Sequence, residues 1–241
     1  MLRAMTRSLA LSIALSAFVA LAPSRVHAQA YDDSYQTWLS VAVQGNVTPD
    51  WMLYIDLNWR FWDDFGPYQQ LYRPAVAYRV APGMQVWLGY GWTPSWNREE
   101  QFTDEHRIWE QWTWDLQGLE GGLKVFFRSR LEQRFRPEIS SDVGIRFRQF
   151  ARVLVPFARD FPVHLSLWDE AFIALNDAGL SAGGLWQRLG FDQNRLFLGV
   201  GWNIVPGQLR IEAGYMNHWI VRPGPDEVHH VAMVNGFVTI Q

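Results

Sequence analysis

Apolar and polar side chains alternate with period two along most of this chain. Between 51 and 62, Trp51, Leu53, Ile55, Leu57, Trp59 and Phe61 share one parity, and Tyr54, Asp56, Asn58 and Arg60 the other. Between 191 and 221 two such runs meet at the tight turn Val205-Pro206-Gly207-Gln208. There Leu196, Leu198, Val200, Trp202 and Ile204 oppose Arg195, Gly199, Gly201 and Asn203, and Leu209, Ile211, Ala213 and Tyr215 oppose Arg210, Glu212 and Gly214. This period places apolar side chains on one face of an extended strand and polar or small ones on the other. The runs outlast the usual globular strand of about 5–6 residues and match the roughly 9–11 residues a strand needs to cross a bilayer.

Further strands are predicted over 35–44, 68–80, 84–92, 102–115, 123–136, 143–155, 163–176 and 229–240. The run over 102–115 is the least regular, because His106 and Glu110 fall on its apolar parity. Eleven runs result. Bacterial barrels close with even strand counts, so the expectation is an all-β fold: a single antiparallel transmembrane β-barrel of twelve strands, with ten as the alternative. The connections differ in length. Thr48-Pro49, Pro82-Gly83 and Pro206-Gly207 are predicted as periplasmic turns, and 63–67, 95–101 and 177–190 as external loops. A soluble lipocalin-like barrel or sandwich would use the same alternation with the apolar face inward. Strand length and aromatic density favour the membrane form.

The N-terminus agrees with export. Arg3 and Arg7 precede an apolar core from 9 to 22, and Val26-His27-Ala28-Gln29-Ala30 offers small residues for cleavage. Residues 1–30 are expected to be a signal peptide and 31–241 the barrel domain. Removing Arg3, Arg7 and Arg25 from the 21 basic residues leaves 18 against 24 acidic ones. That balance argues against nucleic acid as a partner. With no cysteine, disulfides, thiol catalysis and Cys-ligated metals are excluded. The 14 Trp, 15 Phe and 8 Tyr suit aromatic girdles at the two membrane surfaces.

The segments from Asp169 to Asp177, Gly190 to Gly201 and Leu209 to Asn217, with the Arg-rich stretch Phe127-Arg128-Ser129-Arg130-Leu131-Glu132-Gln133-Arg134-Phe135, resemble the bacterial domain of unknown function 2490 family. The resemblance covers most of 35–240. It implies an exported outer-membrane-type barrel of unassigned role and carries over no catalytic residue. Many outer-membrane barrels end in an aromatic residue, whereas this chain ends Thr239-Ile240-Gln241.

Charge placement supplies the candidate chemistry. A charge facing lipid near the midplane costs about 2–4 kcal/mol, so parity assigns a lumen array of Arg60, Arg73, Arg107, Arg128, Arg130, Glu132, Arg134, Arg146, Arg148, Glu170, Arg195, Arg210 and Glu212. Such an array either fills and rigidifies a plugged, purely structural barrel or lines an anion-preferring conduit or a solute-binding pocket of the envelope. His164 and Ser166, with Asn176 ten positions on, suggest an outer-membrane lipid hydrolase as an alternative. His218, Asp226, His229 and His230 form a candidate metal cluster. No cofactor motif occurs. The expected partners are outer-membrane lipids, the barrel-assembly machinery and a small anionic solute. The leading expectation is a non-enzymatic protein.

Overall fold

A computed structural model describes residues 31–116, 119–158, 161–179 and 184–240; the signal-peptide expectation lies outside them. The strands are β1 (Tyr31–Asn46), β2 (Trp51–Phe61), β3 (Pro67–Ala81), β4 (Met84–Trp92), β5 (Ser95–Trp96), β6 (Phe102–Thr103), β7 (His106–Leu116), β8 (Lys124–Phe135), β9 (Val143–Pro156), β10 (Val163–Ala174), β11 (Gly190–Val205), β12 (Leu209–Ile220) and β13 (Asp226–Ile240). All but β5 and β6 join in one closed ring, which β1 seals by pairing with both β2 and β13. The small β5–β6 hairpin stands outside it, in the connection between β4 and β7.

The ring therefore has eleven strands, and the expectation of twelve or ten is corrected. The eleven alternating runs each correspond to one barrel strand. The even-count rule fails because it assumes that first and last strands meet antiparallel. With an odd number, an up-and-down chain brings them together running the same way. Here β1 and β13 pair in parallel from Tyr31 opposite Asp226 to Gly45 opposite Ile240. The other ten neighbouring pairs are antiparallel.

The apolar parity faces outward. Leu53, Leu88, Leu198, Val200 and Trp202 are all more than 45% exposed, while Glu132, Ser166 and Glu212 on the opposite parity have no exposed surface. The polarity of this barrel is inverted relative to a soluble one, which buries its apolar face. Polar side chains on the outer face are hydrogen-bonded locally. Gln133 donates to Glu110 at 3.0 Å, Ser129 to Gln149 at 2.7 Å and Asn194 to Asp169 at 3.0 Å. His106 lies 2.5 Å from the Tyr90 hydroxyl and 3.2 Å from Asp104. These contacts satisfy the residues that interrupt the apolar parity of β7.

The connections sort by end. The turns at 47–50, 82–83 and 206–208 lie at one end, and the connections at 62–66 and 93–105, with residues 175–179 and 184–189, at the other. The first is called here the short-turn end and the second the long-loop end.

Candidate functional site

Alternation sends the charged parity inward, and eleven strands bring it to one interior. Two carboxylates organise the half nearer the long loops. Glu132 on β8 accepts hydrogen bonds from Arg146 at 2.6 Å and Arg148 at 2.5 Å, with Arg130 at 3.5 Å. Glu105, just before β7, accepts from Arg107 at 2.6 Å and Arg134 at 2.7 Å, with Arg136 at 3.6 Å. The Trp109 indole fills the space beside them, fully buried, with the Arg130 guanidinium 4.0 Å above its ring. Gly89 on β4 makes room for it: a Cβ there would overlap the indole.

The connection from β10 to β11 adds to this filling. Gln187 is buried, accepts a hydrogen bond from Arg134 at 3.0 Å and donates to the Ile145 carbonyl at 3.1 Å. Trp186 packs onto Gly144 and Gly179, where any Cβ would collide with its ring. Gly179 also has φ +85°, a left-handed backbone that glycine adopts without steric cost. Arg134 and Arg136 stack over the Trp186 ring at 5.2 and 5.6 Å.

The other half of the lumen is a cavity of about 510 Å³ opening toward the short turns, with Gln44, Gln85, Gly207, Gln208 and Thr239 at its rim. Neither Glu132 nor Glu105 lines it. Nine basic side chains do, Arg60, Arg73, Lys124, Arg128, Arg130, Arg148, Arg152, Arg195 and Arg210, against the carboxylates Asp56, Asp115 and Glu170. Glu170 accepts from Arg128 at 2.5 Å and Arg148 at 2.7 Å, and Asp56 pairs with Arg73. Behind the wall, fully buried Glu212 is shared by Arg152 at 3.3 Å and Arg210 at 3.2 Å. Aromatic rings hold several of these guanidiniums: Arg128 lies 4.5 Å from Phe150, and Arg210 lies 4.2 Å from Phe237. A guanidinium stacked on a ring keeps its N–H edge available for an anion. The site is thus a basic vestibule whose guanidinium edges are suited to meeting an anion.

The family described as "Protein of unknown function (DUF2490)" matches residues 35–229. The chain belongs to the DUF2490 family. It is also 30% identical over 218 residues to an uncharacterised protein of Methylorubrum extorquens, a match covering 89% of this chain and 91% of the relative. No solved structure matches it.

In this DUF2490 barrel all thirteen residues assigned to the lumen by parity turn inward. The hydrolase candidates do not converge. His164 and Ser166 lie near the short-turn end of β10, and both turn to Glu212, Ser166 donating at 3.2 Å and His164 lying 3.6 Å away. Asn176 follows the opposite end of that strand, where it donates to the Val143 carbonyl at 2.9 Å. Ten residues at about 3.3 Å each separate them along the chain. The four metal candidates also diverge. His218 and His229 face the lumen with ring centroids 5.4 Å apart, whereas His230 stacks on outward Tyr35 and Tyr215. Asp226 accepts from the Trp219 indole and the Arg222 amide. Among the described residues no three His, Asp or Glu side chains converge as a metal site would require.

Trp38, Trp186 and Gln187 are among the interior residues that escape sequence reasoning. Trp186 and Gln187 lie in a connection without periodicity. Trp38 belongs to a predicted strand, and the signal was available: it shares parity with Gln36, Ser40 and Gln44 and is an aromatic on a polar face.

Proposed function

We propose that this protein is an outer-membrane β-barrel whose lumen is a one-ended basic vestibule that binds an anionic solute from the periplasm. The observation carrying the reading is the cavity lining, nine basic side chains to three carboxylates, open at the short-turn end. Such an imbalance raises the local concentration of anions. Membrane placement rests on the outward apolar face and on exposed rings near both ends. Trp51, Tyr78, Trp114 and Trp202 lie toward the short turns, and Tyr35, Tyr90, Trp92 and Tyr215 toward the long loops. Aromatic girdles and short periplasmic turns are the pattern of outer-membrane barrels. Lipid and the barrel-assembly machinery are then its envelope partners.

Binding is preferred to conduction because the Glu132 and Glu105 clusters, with Trp109 and Gln187, occupy the half that the cavity does not reach. A lipid hydrolase using Ser166 would have to bring an acyl chain to a hydroxyl with no exposed surface inside a charged lumen. In planar bilayers the purified chain is expected to give no steady current steps, while co-fractionating with the outer membrane in cells. Stable ion-conducting steps would replace the binding reading with the conduit. Absence from the outer-membrane fraction would remove the membrane placement.

A further inference from the structure

Two of the interior arginines differ from the rest. Each of the others lies within ion-pair distance of a carboxylate: Arg73 of Asp56, Arg128 of Glu170, Arg130 of Glu132, Arg210 of Glu212. Arg60 and Arg195 form no ion pair among the described residues. Arg60 is buried and donates to the Asn58 and Gln69 amide oxygens at 3.1 and 2.6 Å. Arg195 donates to the Gln193 amide oxygen at 3.1 Å, and its Nε has no acceptor. Glu170 stands opposite Arg195 in the strand register, but its Oε1 accepts from Arg128 and Arg148 instead. A guanidinium withdrawn from water calls for a counter-charge, and here the protein supplies only neutral amides.

Both cations share one platform. Arg60 sits 3.6 Å and Arg195 5.0 Å from the Trp38 ring. The indole is fixed by its own N–H, which donates to Gln36 at 3.0 Å and to the Tyr68 hydroxyl at 3.0 Å. Arg60, Trp38 and Arg195 all line the deep part of the vestibule, and Trp168, Met216 and Met233 line it beside them. Trp38, Trp168 and Met216 belong to one apolar cluster, and Met233 packs against it. An inorganic anion could neutralise the guanidiniums but would leave half-buried Met233 and Phe126, which line the vestibule and pack against this buried cluster, facing water. A ligand with an apolar body covers these side chains and meets the charge with its head.

We propose that the vestibule floor binds one organic anion, a carboxylate or sulfonate whose charge lies between Arg60 and Arg195 and whose apolar body lies against Met233 and Phe126. This rests on the reading of the lumen as an anion-binding vestibule, and it adds the ligand class. A volume of about 510 Å³ falls within the roughly 300–1,000 Å³ of small-molecule pockets.

The test is calorimetric titration of the full chain in nanodiscs of zwitterionic lipid, with empty nanodiscs as the blank. The probes are 4-phenylbutyrate, its neutral counterpart 4-phenylbutanol, and inorganic phosphate. 4-Phenylbutyrate is expected to bind once per barrel, at least about tenfold more tightly than either of the others. Arg195→Gln and Arg60→Gln should each weaken it by about tenfold or more. Met233→Ala should weaken 4-phenylbutyrate while leaving phosphate unchanged. Phosphate binding as tightly as 4-phenylbutyrate would overturn the organic-anion inference and keep the anion-binding vestibule. Binding of neither anion would overturn both. The three-probe comparison on the unsubstituted protein decides the matter even if the arginine variants fail to fold.

Discussion

Replacing Glu132 with alanine is expected to destabilise the barrel by about 3–5 kcal/mol, the cost of leaving buried charges unpaired. Glu132 has no exposed surface and faces three guanidiniums, those of Arg130, Arg146 and Arg148. Arg148 would keep Glu170 at 2.7 Å and Arg146 would keep Asp192 at 3.4 Å, but Arg130 would have no carboxylate left. Glu132→Gln should cost less, since one acceptor oxygen remains while the negative charge goes. Adding Arg130→Met to Glu132→Ala should recover part of the loss, because an apolar side chain needs no counter-charge. Urea unfolding in reconstituted bilayers, followed by tryptophan fluorescence, measures all three. A loss below about 1 kcal/mol for Glu132→Ala, typical of an exposed pair, would mean that water reaches this cluster.

The second large effect is expected at Gly89. A Cβ at this position would overlap the Trp109 indole, which is fully buried and covered by Arg130. The ring is a rigid body pinned between strands, so neither partner can yield cheaply. Gly89→Ala should cost about 1–3 kcal/mol, the usual range for overpacking. Gly91, two residues along the same face, has its nearest side-chain neighbour at an ordinary 3.5 Å, and Gly91→Ala should be tolerated. Trp109→Leu combined with Gly89→Ala should be less destabilising than the sum of the single changes, because the smaller side chain removes the clash. Unfolding midpoints of the four variants give the coupling directly. Equal midpoints for Gly89→Ala and Gly91→Ala would contradict the packing described here.

Much of this architecture was legible because one-residue alternation is a local signal. Met84–Trp92 is bounded as the pattern predicts, β2 differs from its predicted range by one residue at one end, and β8 by one residue at each end. Inward and outward parity followed from the cost of placing arginines in lipid. The strand count was misjudged for a non-local reason. Whether β1 meets β13 in parallel depends on the whole ring, and the polar starts of both strands, with Asp32 opposite Glu227, hide their extra length from an alternation test. Pairing inside the lumen was equally hidden. Glu132 and Arg146 are opposite each other in register, but Glu212 meets Arg152 across two intervening strands. Parity placed these side chains on one face without saying which would meet. The one-ended cavity depends on Trp109, Trp186 and Gln187, and two of those lie where the sequence has no period.

The barrel is turned apolar side out, and its basic vestibule is entered from the short-turn end. The natural absence of cysteine allows it to be read residue by residue. Single cysteines placed in turn from 39 to 44 on β1 of membrane-embedded protein would be challenged with a small, charged, membrane-impermeant thiol reagent. Ser40→Cys, Ala42→Cys and Gln44→Cys, which line the vestibule, are expected to react in order of nearness to the mouth, with Gln44→Cys fastest, while Leu39→Cys, Val41→Cys and Val43→Cys stay protected by lipid. Protection of the even positions with labelling of the odd ones would show that the barrel buries its apolar face, contradicting the inverted polarity described above.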